Sequence, residues 1–346
     1  VSAADERALV QALARACRTR GFHDSTSSIT GVVVRSYTES ASVRPSDISE
    51  TFCVSNGLTK AEAAAFANEV ISSIRKDETD CHSIVSPSVM IVTALSLEAE
   101  AVAEYLEDVR EVEHPITGSI YQVGRFNGSL MFDVAIVVTA PGNDFAAMET
   151  ERAIQHFRPA VALFVGVAGG VKDDVVIGDV VAADYVYDYS SAKEGDGFVR
   201  ARIKTANATY AAVQRARAVA SSRAWIPLIK RQPPLANAPV PSALIKPIAA
   251  GPRLLTATDA PTALWIKQHC GDALAVEMEG YGFHAAMSAY PDINAMVVRG
   301  VSDVVDGKST EADKEWQPVA ASRAAAFALT LATGLLQSSV KKQSNR

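Results

Sequence analysis

The feature that most constrains this chain is a series of short apolar runs, alternating with helical stretches, that begins at Val89. Residues 89–94, 131–139 and 160–167 are too short and too evenly apolar for surface helices, and read as buried strands. Helical spacing is present over 97–106 and 146–157, and again over 205–220. Residues 175–186 form a long β-prone segment, and 223–241, rich in proline and basic residues, read as a loop excursion. Strands are predicted at 244–249, 274–276 and 295–299, the first interrupted by Pro247, and helices at 279–289 and 313–336. Alternation of this kind predicts an α/β domain whose largely parallel sheet is covered by helices on both faces. Ligands bind such sheets at the carboxyl ends of the strands, so residues just after apolar runs carry most functional weight.

Residues 1–86 have a different texture. Leu9, Val10, Leu13, Ala16 and Cys17 give one helical stripe over 5–18. A Ser/Thr-rich stretch over 24–47 includes a β-prone run at 31–34. A second helix is predicted over 59–76, where Thr59 and Glu62 fit the capping-box spacing and Ala65, Phe66, Val70, Ile71 and Ile74 supply the apolar face. Residues 77–87 are polar, end in Ser-Pro, and read as a linker. The expected organisation is a small, mainly helical module over 1–86 and an α/β domain over 87–346. His23 and His82 are isolated, and no catalytic constellation stands out in the first module. It reads as a packing or adaptor module, or as a regulatory one that senses a partner or oligomerises to control the domain behind it.

Composition narrows the function classes. A net charge of −6 and a pI of about 5.6 argue against nucleic acid as a partner. Cys17, Cys53, Cys81 and Cys270 form no C-x-x-C pair, which removes support for zinc or dithiol chemistry and predicts reduced thiols. The apolar runs read as shorter than the roughly 18 residues of a membrane span. The first residues lack the basic start and apolar core of a signal peptide. The expectation is a cytoplasmic protein with no membrane and no nucleic-acid partner.

Acidic residues stand where the strand-end rule points. Glu98 follows the first strand, Glu277 and Glu279 follow a short one, and Asp303 follows the last. Each has a plain explanation: Glu98 lies near a helix start, where the dipole favours a carboxylate, and Asp303 suits a turn. Several carboxylates on strand ends of one sheet are harder to explain away, because the sheet gathers those ends. Gly166-Val-Ala-Gly-Gly170 reads as a turn directly after a strand, able to let a ligand approach the backbone. It fits neither a P-loop nor G-x-G-x-x-G. Ala140-Pro-Gly-Asn143, with Gly142, is a second strand-end turn expected to line the same cleft.

The motifs Ala94-Leu-x-x-Glu98, Gly166-Val-Ala-Gly-Gly170, Gly178-Asp-Val-Val181, Val276-Glu-Met-Glu279 and Val298-Arg-Gly-Val-Ser-Asp303 together resemble the nucleoside phosphorylase superfamily. The likeness is strongest to its methylthioadenosine/S-adenosylhomocysteine nucleosidases and runs over about 89–336. It implies a phosphorylase/hydrolase-like mixed sheet flanked by helices. It also implies hydrolysis of the N-glycosidic bond of a purine nucleoside or nucleotide, with adenine as the base. Glu98 then activates water and Asp303 protonates N7 of the departing base. Glu279 holds the ribose hydroxyls with Met278 packed on the sugar. Arg299, Ser302, Glu277, Val167, Ala168, Gly169, Gly142 and Leu254 line the site. Negative groups stabilise an oxocarbenium-like sugar, and a carboxylic acid in a water-poor pocket can keep a proton near neutral pH for the leaving base. Since acid, base and ribose clamp are all side chains, the resemblance implies no metal and no organic cofactor. Its members are homo-oligomers, commonly dimers.

The chain departs from the pattern in places. Phosphorylases of the superfamily usually carry Gly-Asp-Pro and a phosphate-binding arginine after the first strand. Here Ala94-Leu-Ser-Leu-Glu98 stands instead, and Val167 replaces a common hydroxyl residue, which favours water over phosphate. Nucleosidases usually show Ser-Gly-Asp and an aromatic residue where this chain has Ala250-Gly-Pro-Arg-Leu254. With basic Arg200, Arg202, Lys204, Lys230, Arg231, Lys246, Arg253 and Lys308 in or beside loops, an alternative substrate is a nucleotide such as ATP. Fusion to an N-terminal module would then resemble regulated effectors of bacterial defence. A phosphate-dependent phosphorylase and a catalytically silent purine-binding module are the remaining alternatives.

Overall fold

The structure, a computed structural model, describes residues 87–235, 238–305 and 310–344. The elements expected over 1–86, and Lys308, lie outside the described residues. The strands are β1 (Val89–Thr93), β2 (Leu106–Glu113), β3 (Ile120–Asn127), β4 (Met131–Val138), β5 (Val161–Gly170), β6 (Val180–Ala183) and β7 (Tyr185–Asp188). They continue as β8 (Ala192–Gly195), β9 (Phe198–Ala201), β10 (Lys204–Asn207), β11 (Ala243–Ile245), β12 (Ile248–Ala250), β13 (Ala275–Glu277) and β14 (Asn294–Val304). The α-helices are α1 (Ser96–Ala103), α2 (Asn143–Phe157), α3 (Tyr210–Ser222), α4 (Pro261–His269), α5 (Gly280–Met287) and α6 (Thr310–Ser344).

Among the described residues one sheet contains 12 strands, in the order β10-β7-β12-β13-β5-β1-β4-β3-β2, with β14, β6 and β11 joined through β5. The sheet is mixed rather than largely parallel. β1 runs parallel to β4 and β5, and β5 to β14, but β2, β3 and β4 form an antiparallel meander. The joining segments 114–119 and 128–130 are too short for a crossover, so only antiparallel pairing is open to them. β13 runs antiparallel to the end of β5, and β6 antiparallel to β14. β8 and β9 form a separate hairpin.

The alternating side chains of β1 bury on both faces, which explains its uniformly apolar sequence. Val89 and Ile91 pack with α6, α3 and the apolar side of α1. Met90 and Val92 pack with α2 and α5. Helix α6 lies against β14, β5, α1 and α3, and its middle, residues 319–336, is buried and apolar nearly all round, as a stretch enclosed by protein must be. By length and composition its stretch Glu315–Ser338 could cross a membrane, contrary to expectation, but 89% of that apolar window is buried within the domain. It is accordingly a core helix here.

Several local expectations change. Gly166-Val-Ala-Gly-Gly170 is the end of strand β5, not a turn: Gly169 and Gly170 remain paired with both β13 and β14. The 175–186 segment is two short strands with Gly178, at φ +93°, before them. Pro247 separates β11 from β12. Strands β2, β3, β8 and β9 and helix α4 were not foreseen, and the helix expected over 205–220 begins only at Tyr210, its first residues lying in strand β10.

Candidate active site

The parallel strands β1, β4, β5 and β14 end on the same side, and four carboxylates collect there. Strand β1 ends at Thr93 and the chain turns at once into α1. Glu98, in the first turn of that helix, folds back so that Oε2 accepts the N–H groups of Ala94 (2.8 Å) and Leu95 (3.0 Å). Its Oε1 accepts the Val167 N–H at 2.8 Å. One glutamate therefore caps α1 and ties it to β5, satisfying backbone donors at the helix start. Burial pushes its carboxyl above the usual range, against the opposing pull of Arg299 and these three N–H groups.

Gly166 makes that approach feasible. A Cβ there would fall within the Arg299 guanidinium and the Glu98 carboxylate. Opposite, the β14 register shifts between Val301 and Asp303, a bulge at Ser302. A bulge re-aims the next side chain; Asp303 stands over Gly169, and Ser302 Oγ donates to its Oδ2 at 3.0 Å. Asp303 is 6% exposed.

Glu277 ends β13, and Glu279 directly precedes α5. Glu277 accepts the N–H groups of Glu279 (3.0 Å) and Gly280 (2.9 Å), which fixes the start of α5. Glu279 Oε1 accepts the Gly142 N–H at 3.0 Å. Gly142 precedes α2 with φ +112°, a conformation that favours glycine. Gly282 lets α5 press onto the start of α2: its N–H donates to Asn143 Oδ1 at 2.8 Å, and a Cβ would strike the Asn143 backbone. Burial, together with the neighbouring Glu277 and Glu98 carboxylates, raises Glu279 to about 7 against the pull of Arg299 and Gly142.

Arg299 joins the group from below. It is fully buried, its guanidinium 4.2 Å from the centre of the Phe164 ring. It reaches Glu277 at 2.5 Å, Glu279 at 3.5 Å and Glu98 at 3.9 Å. Burial disfavours its charge, but the three carboxylates outweigh that and hold it protonated.

Above this floor lies a cleft of about 210 Å³ lined by Glu98, Val167, Ala168, Gly169, Leu254, Glu277, Met278, Glu279, Ser302 and Asp303. Most residues expected at the site thus come together. Arg299 is the correction: it lies under the cleft, held by carboxylates, rather than along it. Gly142 acts through the N–H it gives Glu279. Glu277 is occupied in positioning Arg299 and α5. Leu95, Val276 and Gln317 also line the cleft and were not foreseen. Gln317 comes from α6, far along the chain, so no local pattern announces it.

Most of the basic residues considered for a nucleotide are elsewhere. Lys230 and Arg231 bond to Glu104, and Arg200 lies over Phe198 of the β8–β9 hairpin. Arg253 does line a small cavity of about 30 Å³ with Asp303 and Met278. Among the described residues, no group of three or more His, Cys, Asp or Glu side chains is arranged to hold a metal ion.

A profile of the phosphorylase superfamily matches residues 88–333. The chain belongs to this superfamily. Among superfamily proteins, a 5′-methylthioadenosine/S-adenosylhomocysteine nucleosidase from Marinomonas sp. (strain MWYL1) is 27% identical over 231 residues, covering 67% of this chain and 92% of the relative. The same-named protein of Actinobacillus succinogenes is 26% identical over 239 residues, covering 69% and 95%. A crystal structure of the Colwellia psychrerythraea nucleosidase in complex with adenine matches with a TM-score of 0.59 at 22% identity, covering 72% of this chain and 96% of that one. The shared fold is the mixed sheet flanked by helices described above.

Proposed function

We propose that the domain over residues 87–346 hydrolyses the N-glycosidic bond of a purine nucleoside. The observation that carries this reading is the meeting of Glu98, Glu279 and Asp303 around one cleft whose described lining residues include no lysine or arginine. Cleavage builds positive charge on the sugar, and a surplus of carboxylates stabilises it. Water attacks the anomeric carbon while Glu98 takes its proton. The bond's electron pair leaves with the base, and Asp303 delivers a proton to N7. Burial makes the Glu98 carboxylate a stronger base, and Oε1 keeps lone-pair capacity beyond its single N–H bond. Glu279 holds the ribose hydroxyls beside Met278. The named nucleosidase relatives support adenine as the base.

Phosphorolysis would need a free cation for phosphate, whereas Arg299 is buried and shared among three carboxylates. A nucleotide substrate has less support once Lys230 and Arg231 are occupied at Glu104. A homodimer, and control by residues 1–86 through a partner, extend the same proposal.

Free-base release from adenosine, methylthioadenosine, S-adenosylhomocysteine, AMP and ATP, with and without phosphate, tests it. A nucleoside should release base independently of phosphate. Release only with phosphate would overturn hydrolysis, and release from ATP alone would put the effector reading first. No release from any purine would leave a silent binding module.

A further inference from the structure

A second cavity, of about 430 Å³, is lined by Pro252 and Arg253 of the loop whose Leu254 lines the candidate cleft. It is lined by Tyr189, Glu194, Arg253, Pro261, Thr262 and Trp265, among others. The size suits a small ligand. We propose that this cavity binds a nucleoside monophosphate, at a site separate from the cleft and independent of the hydrolase reading.

Three kinds of group converge on it. Trp265 is held by its indole N–H, which donates to the Tyr189 carbonyl at 3.1 Å, so the ring is fixed as a flat apolar wall. Arg253 supplies a cation. Its Nη1 donates to Thr262 Oγ1 at 2.8 Å, and it has no ion-pair partner among the described residues. The remaining guanidinium donors suit the oxygens of a phosphate. Because Thr262 Oγ1 accepts from Arg253, its own proton is available to an anion. Pro261 and Thr262 begin α4, an end with no side-chain cap, so the positive end of that helix faces the same space. Glu194, on the β8–β9 hairpin, offers a carboxylate to hydroxyl or amino donors. A free purine would leave Arg253 unused, and inorganic phosphate would leave Trp265 unused. A ligand joining a flat ring, hydroxyls and one phosphate uses all three.

The site borders the cleft. Arg253 lines both the larger cavity and the small one beside Asp303. Its backbone is held by Tyr189, whose hydroxyl accepts the Arg253 N–H and donates to the Arg253 carbonyl, both at 3.3 Å.

The test is calorimetric titration of AMP into the full chain carrying Asp303→Asn, which is expected to slow any turnover, with tryptophan fluorescence followed in parallel. Saturable binding at one site per chain is expected, with a fluorescence change that Trp265→Phe removes. Adding Arg253→Met, or the nearly isosteric Thr262→Val, should weaken binding about tenfold or more, the scale of one charged hydrogen bond. Adding Glu279→Gln instead should leave it unchanged. Absence of AMP binding, indifference to both Arg253→Met and Thr262→Val, or equal weakening by Glu279→Gln, which would put AMP in the catalytic cleft, would each overturn the proposal. Base release by the unmodified chain is judged separately, so either reading can fail alone.

Discussion

Arg299 lets carboxylates that would repel one another share a buried site. Removing it by Arg299→Met strands those charges. Breaking a buried pair in this way costs about 3–5 kcal/mol, so a large fall in Tm is expected at neutral pH, with a smaller one at pH 5, where Glu279 is protonated. Glu279 carries its own pH signature. Because its folded-state pKa is raised from 4.5 to about 7, its contribution to stability is fully present below the unfolded value and is lost as pH rises through 7. Melting curves at pH 5 and pH 8 should show the unmodified chain losing stability across that interval, and Glu279→Gln losing less. An equal loss in both proteins would mean that Glu279 is not the group titrating. Glu98→Gln and Asp303→Asn should each slow base release by roughly 10²- to 10⁴-fold. The acidic residues were legible from sequence because they follow apolar runs. The buried status of Arg299 was not, since its depth depends on carboxylates from two other parts of the chain, Glu98 and the Glu277–Glu279 pair.

Elements place these side chains through close backbone approaches. Gly166→Ala puts a methyl group into the Arg299–Glu98 contact, so loss of activity and a fall in Tm are expected together. Gly271→Ala, whose Cβ would meet only the Lys267 carbonyl at 3.1 Å, should leave base release within a few-fold of normal. Steady-state rates and thermal melts on the two variants check this; equal behaviour would remove Gly166 from the site's construction. The buried strands β1, β4 and β5 were readable because both faces are apolar. Strand β2 was not: it is an edge strand, mostly exposed and charged, so its partner rather than its own pattern makes it a strand. Strand β3 alternates only through Tyr121 and Val123; Gly124, where the chain packs against Leu106 and Val109, and the out-of-phase Phe126 break the run. Helix α4 has proline at its start, yet only Thr262 and Ile266 are fully buried, too few for an apolar stripe. The glycines of β5 look like a turn in sequence, but β13 and β14 hold them in the sheet.

At the scale of the whole α/β domain, the sheet gathers residues that are distant in sequence into one cleft, and the chemistry follows from their sum. The described cleft contains four carboxylates above one engaged arginine, a balance suited to a cationic transition state and poorly suited to a phosphate nucleophile. The α/β class was legible from alternation alone, and the gathering of the candidate site's acidic residues was legible once the motifs stood in order. The mixed direction of the sheet, which alternation misses and the resemblance implied, follows from the short connections of the β2–β4 meander, whereas the second cavity depends on distant packing. The most direct test of hydrolysis is turnover of the preferred purine nucleoside in ¹⁸O-labelled water containing phosphate, with mass spectrometry of the sugar product quenched before anomeric exchange. Hydrolysis through Glu98 predicts free ribose-type sugar carrying one solvent ¹⁸O at the anomeric carbon. A sugar 1-phosphate with no solvent oxygen would contradict it.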